Sequence, residues 1–201
     1  MQTEPAARAW LVDLDGTLYA PRPLKLRMAA ELFLRAPWHV PALRAFRAEH
    51  ERLREEGAEA SDPFRLQVER TARRLGREPA ALEALVREWM VRRPCRFLAR
   101  HANRPLLEEV AAHRAGGGRT ALVSDYPARD KLRALGVEEL FEVVVASGEA
   151  GGPTALKPDP AGYLAAARAL GVPPEACLVI GDRPDADGEA ARRGGMAFRR
   201  I

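Results

Sequence analysis

The sequence predicts an α/β fold: a doubly wound, mainly parallel sheet, interrupted after its first strand by an inserted block of helices. Three observations predict it. Five short runs, at 9–13, 119–123, 142–146, 177–181 and 196–199, are almost continuously apolar, as strands are when both faces of a parallel sheet are covered. Helical patterns at 104–115, 127–135, 158–170 and 184–193 alternate with the later runs. Residues 21–101 break this rhythm, with no strand pattern and about four amphipathic helices.

The first strand, Trp10-Leu11-Val12-Asp13, runs through Leu14 to Asp15-Gly16-Thr17. Side chains two apart on a strand point the same way, so Asp13 and Asp15 leave its end together, where one can attack while the other handles protons. Two close like charges need a counter-charge, which a divalent cation or an anionic substrate would supply. Taken alone, the pair is equally explained as an Asx turn capping a loop. In the insertion, Pro37, Gly57 to Pro63, Gly76 to Pro79 and Pro94 separate the helices, and Ser61-Asp62-Pro63 is a helix start. Leu43, Phe46 and Leu53, like Leu82, Leu85, Val86 and Trp89, recur at helical spacing and predict the interior of a small bundle.

The remaining signals sit at strand ends. Gly116-Gly117-Gly118, Gly136 and Gly171 end helices and are not phosphate loops. The run Ala121-Leu122-Val123 ends in Ser124-Asp125, which offers either a hydroxyl donor at the sheet edge or an ordinary N-cap. Lys157 precedes a proline-initiated helix, a place suited to a phosphate oxygen, although a solvated lysine fits it too. Leu178-Val179-Ile180 runs into Gly181-Asp182-Arg183-Pro184-Asp185-Ala186-Asp187, an acidic loop of the kind that binds hard cations. Mg²⁺ is usually held by one or two carboxylates with waters and substrate phosphate, and Asp13 and Asp182 would fit; helix capping is the competing reading of this loop, above all for Asp185, and the spacing leaves open which of Asp185 and Asp187 lies nearer a metal.

Composition narrows the classes of function. At 201 residues, 47% apolar and 30% charged, the chain is an ordinary globular protein. No apolar run approaches the length of a membrane span, and Met1-Gln2-Thr3-Glu4-Pro5 lacks a leader pattern, so a cytoplasmic protein without membrane contact is expected. Cys95 and Cys177 lack metal-ligand spacing and predict reduced thiols. The net charge of +4 does not make a nucleic-acid surface, because the basic residues are spread. They are segregated all the same: residues 22–100 carry a net +7 and the rest of the chain −3.

The order Asp-x-Asp-Gly-Thr, Ser124, Lys157-Pro158 and Gly181-Asp182 followed by Asp187 resembles the haloacid dehalogenase superfamily. The likeness spans 9–19 and 104–201 and extends to Leu135-Gly136-Val137, Lys157-Pro158-Asp159-Pro160 and Ala190-Ala191-Arg192-Arg193-Gly194-Gly195-Met196. It implies a Rossmann-like core formed by residues 1–20 and 102–201, with residues 21–101 as a helical cap of the C1 type. It further implies that Asp13 is the nucleophile that becomes an aspartyl phosphate, and that Asp15 is the acid and base, its pKa nearer neutrality than that of Asp13. Mg²⁺ would be held by Asp13, the backbone carbonyl of Asp15 and Asp182, with Asp187 supporting through water or Lys157. Ser124 and Lys157 would hold phosphate oxygens.

An aspartate at 15 separates phosphatases and phosphomutases from dehalogenase-like members and ion pumps. Asp125 stands where asparagine is frequent, so the hydrogen bonds expected beside the phosphate are open to question. The resemblance implies a phosphatase acting on a small phosphorylated metabolite, with a phosphomutase or phosphotransferase as the alternative and a non-catalytic binding protein as the remote one.

Overall fold

The computed structural model describes residues 7–201; residues 1–6, with the N-terminal pattern read above and the start of the expected core, lie outside the described residues. Five strands form one sheet: β1 (Ala9–Asp13), β2 (Arg119–Ser124), β3 (Val143–Ala146), β4 (Cys177–Gly181) and β5 (Ala197–Arg200). Their order is β3-β2-β1-β4-β5, and every neighbouring pair is parallel. The chain builds outward from β1 to one side and then to the other. The carboxyl ends of β1 and β4 therefore flank the crevice where a doubly wound sheet binds its ligand.

Strand periodicity sorts the core into two layers. Leu11, Val123, Val145 and Val179 pack with Tyr163, Ala166 and Leu170 of α8 (Ala161–Leu170) and with Ala190 and Ala191 of α9 (Glu189–Arg193). On the other face Val12, Leu122 and Ile180 meet Leu106 and Val110 of α6 (Arg104–Ala115) and Leu132 of α7 (Arg129–Leu135). Both layers are sealed from water, which accounts for the near-continuous apolar runs of the strands.

The helices between β1 and α6 are α1 (Pro21–Arg35), α2 (Val40–Glu56), α3 (Pro63–Leu75), α4 (Pro79–Val86) and α5 (Arg93–Leu98), with a π-helical stretch over Arg87–Arg92. Phe46, Phe64, Val68, Leu82, Val86 and Trp89 form their interior, as the helical spacing predicted for Phe46, Leu82, Val86 and Trp89. Asp62 caps α3 by accepting from Phe64 N at 3.0 Å and Arg65 N at 3.2 Å.

The insertion leaves and rejoins the rest of the chain at one place. Tyr19 and Ala102 form an isolated antiparallel bridge, while Ala20 N donates to His101 O and Asn103 N to Leu18 O, each at 2.8 Å. On its far side the insertion is tied to the loop after β3: Phe64 N donates to Ser147 Oγ at 3.0 Å, Gly148 N to Asp62 Oδ1 at 3.1 Å and Ala60 N to Thr154 O at 2.8 Å. Among the described residues no helix is long and apolar enough to cross a membrane.

Candidate active site

A cavity of about 810 Å³ separates the inserted helices from the carboxyl edge of the sheet. Asp13, Asp15, Ser124, Asp125, Lys157, Asp182 and Asp187 all line it, so each site residue expected from the sequence reaches one place.

Asp13, last residue of β1, is only 5% exposed. Thr17 Oγ1 donates to its Oδ2 at 3.0 Å, and the Lys157 ammonium donates to its Oδ1. The same ammonium lies 2.8 Å from Asp187 Oδ1, which also accepts from Tyr163 OH at 2.8 Å. Lys157 is thus the cation between two buried carboxylates, and both push its pKa far above the usual lysine value against the opposing effect of burial. Gly16 adopts φ +111°, and a β-carbon there would collide with the Asp182 carboxylate. Only glycine brings the turn and the acidic loop this close.

Asp13, Asp182 and Asp187 each offer an oxygen within 4.8 Å of the others. Three carboxylates thus converge on one place, and among the described residues Lys157 is the ammonium that bonds to them, at Asp13 and Asp187. Burial and the neighbouring Asp187 raise the Asp13 pKa to about 7, and burial together with Asp187 also raises that of Asp182. Hard oxygen donors with surplus negative charge fit a divalent cation, which would hold Asp13 ionised. Asp185 does not join them: it is exposed and pairs with Arg183 at 2.5 Å.

Asp15 occupies a different environment. Lys131 Nζ lies 2.6 Å from its Oδ1 and 2.8 Å from its Oδ2, and Tyr19 OH also donates to Oδ1. Although burial pushes the other way, the Lys131 charge and these hydrogen bonds hold the Asp15 pKa below the ordinary carboxylate value. The order is the reverse of the one expected from the sequence. That expectation lacked Lys131, which comes from α7, 116 residues away in the chain.

The aspartate at 125 finds partners that suit its charge. Its Oδ1 accepts from Lys157 N at 3.2 Å, and its Oδ2 accepts from Arg54 of α2 at 3.0 Å, with His50 Nε2 at 3.7 Å. Ser124 Oγ accepts from Tyr126 N at 3.2 Å, which leaves its proton available for another acceptor.

Lys131, Tyr19, Tyr163, Arg54 and His50 went unnoticed in the sequence as site residues. Tyr163 sits among the apolar positions of α8, where an aromatic reads as core, and Arg54 is one of 17 arginines between residues 22 and 100. Lys131 carried one faint signal: it is one of only three lysines in an arginine-rich chain.

The family model of haloacid dehalogenase-like hydrolases matches residues 7–195. A glyceraldehyde 3-phosphate phosphatase from Methanopyrus kandleri is 44% identical over 72 residues, which are 36% of this chain and 30% of that protein. The match therefore spans under a third of that relative's length. Among solved structures, the hydrolase YfnB from Bacillus subtilis, bound to magnesium, superposes with TM-score 0.65 at 17% identity, covering 98% of this chain and 89% of that one. An L-2-haloacid dehalogenase from Xanthobacter autotrophicus gives 0.64 at 18% identity, covering 96% and 77%. At such identities the superpositions speak for the fold.

Proposed function

The chain belongs to the haloacid dehalogenase-like hydrolases, and on that premise we propose that it is a Mg²⁺-dependent phosphatase of a small phosphomonoester, working through an aspartyl phosphate on Asp13. The observation that carries this reading is the unequal provision for two carboxylates at one strand end. Asp13 faces Lys157 and the acidic pair Asp182 and Asp187, while Asp15 faces Lys131 and Tyr19.

Asp13 attacks phosphorus as the bond to the leaving oxygen breaks, and that oxygen takes a proton from Asp15, whose carboxyl group the negative charge of the bound phosphoryl group pushes back up against Lys131. Asp15 then removes a proton from a water that attacks the same phosphorus, which frees Asp13 and releases inorganic phosphate. Lys157 and the Ser124 hydroxyl bind phosphate oxygens, and Asp125 anchors Lys157 through its backbone N–H. Asp13, the Asp15 carbonyl and Asp182 would hold Mg²⁺, with Asp187 behind Lys157; the ion supplies charge neutralisation at the phosphoryl group.

Residues 21–101 act as the cap over a core of 1–20 and 102–201, a division supported by the single bridge at Tyr19 and Ala102 and by the cavity between the two parts. A recessed site of this size between the inserted helices and the sheet edge suits a small metabolite rather than a protein or nucleic acid. The phosphatase name of the Methanopyrus kandleri relative also favours hydrolysis over phosphotransfer. Free Cys95 and Cys177 support a reducing, cytoplasmic setting.

The test is p-nitrophenyl phosphate hydrolysis with and without Mg²⁺, followed by a screen of phosphorylated metabolites scored for inorganic phosphate. Asp13→Asn is expected to lose about 10³-fold or more in kcat. Unchanged turnover in that variant would remove Asp13 as nucleophile, and an isomerised sugar phosphate without phosphate release would make the enzyme a mutase.

A further inference from the structure

We propose that Lys131 is the positioning residue for proton transfer, holding the Asp15 carboxylate so that its Oδ2 is the oxygen that meets the leaving group. The inference rests on the phosphatase reading above and concerns a residue that reading leaves without a task.

Lys131 lies in the first turn of α7, and its side chain is 4% exposed. Its chain neighbour Leu132 is fully buried and α7 packs against α5, so the ammonium reaches the cavity wall from a largely apolar face. Burying an ammonium is costly unless a partner compensates, and an apolar side chain would serve such a place as well or better. Among the described residues, Asp15 is the only carboxylate within ion-pair distance of Lys131. Stability alone does not account for this pair.

The contact is also lopsided. Each carboxylate oxygen has two lone pairs. Oδ1 uses both, on Tyr19 OH and on Lys131 at 2.6 Å, whereas Oδ2 receives Lys131 alone at 2.8 Å. Tyr19 and Lys131 are buried, while the Asp15 side chain keeps 31% of its surface open and lines the cavity. One lone pair of Oδ2 is thus the unclaimed acceptor of this group. Tyr19 alone would leave the carboxylate free to turn about its terminal torsion, which is broad for aspartate. The second contact to the ammonium removes that freedom.

Proton transfer requires the two heavy atoms at hydrogen-bond distance and in line. As the oxygen–phosphorus bond of the substrate breaks and the Asp13–phosphorus bond forms, the proton on Oδ2 passes to the leaving oxygen, restoring the carboxylate that Lys131 faces. In the second half the attacking water returns a proton to Oδ2 while the Asp13–phosphorus bond breaks. Lys131 exchanges no proton in either half; its part is to hold the Asp15 carboxylate in place.

A leaving-group series separates this role from plain structural support. kcat/KM reports events up to departure of the alcohol. It should be measured with Mg²⁺ on p-nitrophenyl phosphate, whose leaving group needs little protonation, and on phenyl phosphate, whose leaving group needs more. Lys131→Met is expected to lose at least about tenfold more on phenyl phosphate than on p-nitrophenyl phosphate, within the range general acid catalysis supplies. Asp15→Asn should show the same steepening, Lys131→Met should add little in an Asp15→Asn background, and Lys131→Arg should restore part of the loss.

Equal losses on both substrates, full additivity of the two substitutions, or a Lys131→Met enzyme matching the wild type would each overturn the proposal. Should Lys131→Met fail to fold, Lys131→Gln, which keeps a donor but loses the charge, carries the same comparison. A wild-type protein inactive on every aryl phosphate would defeat the phosphatase reading, and this inference with it. Activity with parallel losses would defeat only the role of Lys131.

Discussion

Arg54 of the inserted helices donates to Asp125 of the sheet at 3.0 Å, and both side chains are 8% exposed. The pair crosses the cavity boundary beside Ser124, so the contact that fastens the insertion also fixes the neighbour of a phosphate-binding hydroxyl. Removing one partner of a buried pair leaves an uncompensated charge. Arg54→Ala is expected to lower stability by about 3 kcal/mol in urea or thermal unfolding. Arg54→Met combined with Asp125→Asn should recover much of that loss, since the amide oxygen of the new side chain still accepts from Lys157 N.

His50 makes the same junction sensitive to acid. Burial lowers its pKa from the usual 6.5, and this outweighs the pull of Asp125 in the other direction. Above pH 6.5 the imidazole is neutral in both folded and unfolded chains, so its contribution is fully present. As pH falls below 6.5 the unfolded chain takes up the proton first, and stability is lost down to the folded-state pKa. The urea midpoint should therefore drop between pH 7.5 and pH 5.5, and less so in His50→Gln. An identical drop in that variant would assign the sensitivity elsewhere.

Metal binding should show the opposite side of the same linkage. With its pKa raised to about 7 by burial and by Asp187, Asp13 must lose a proton to serve as a ligand at mildly acidic pH. Mg²⁺ should raise the melting temperature, EDTA should reverse the gain, and the gain should be larger at pH 8 than at pH 5.5. A concentration 100 times the Kd corresponds to about 2.7 kcal/mol. Asp182→Asn should shrink the effect without abolishing the fold.

Asp62 serves two structures with one oxygen. Its Oδ1 caps α3 and accepts from Gly148 N, beyond which a β-carbon at 148 would come within 2.8 Å of Phe64. Asp62→Ala is expected to cost about 1–2 kcal/mol in chemical denaturation, the sum of a lost cap and an orphaned amide. Asp62→Asn, which keeps the acceptor, should cost much less.

The sheet was legible because its strands are buried on both faces: four of the five apolar runs match the observed strands within one residue at each end, and the fifth, 196–199, matches 197–200 with the same tolerance. The helical insertion was legible from proline and glycine spacing at Pro37, 57–63 and 76–79, whereas Pro94, expected as a break, lies within a helical run that continues from α4 through the π-helical stretch into α5. Asp13, Asp15, Ser124, Lys157 and Asp182 were legible because carboxyl ends of parallel strands meet at one edge. Lys131 and Tyr163 were not, because each sits at a helical position whose chemistry depends on a partner over 20 residues away. Arg54 and His50 were hidden for a related reason. No periodicity distinguishes an arginine that reaches Asp125 from one that faces water. The pKa order of Asp13 and Asp15 followed from these hidden partners and could not be read without them.

The bridge between Tyr19 and Ala102 has an architectural consequence. Paired antiparallel residues lie only about 5 Å apart, so the two chain ends that the insertion joins are already adjacent. Lengthening what lies between them adds little to the loop-closure entropy, since that cost grows only with the logarithm of length. The segment between them therefore enters and leaves through one doorway. A bundle of another size grafted there would keep its two ends in place, but it would need its own partner for Asp125 if Ser124 and the reacting atoms are to stay in register.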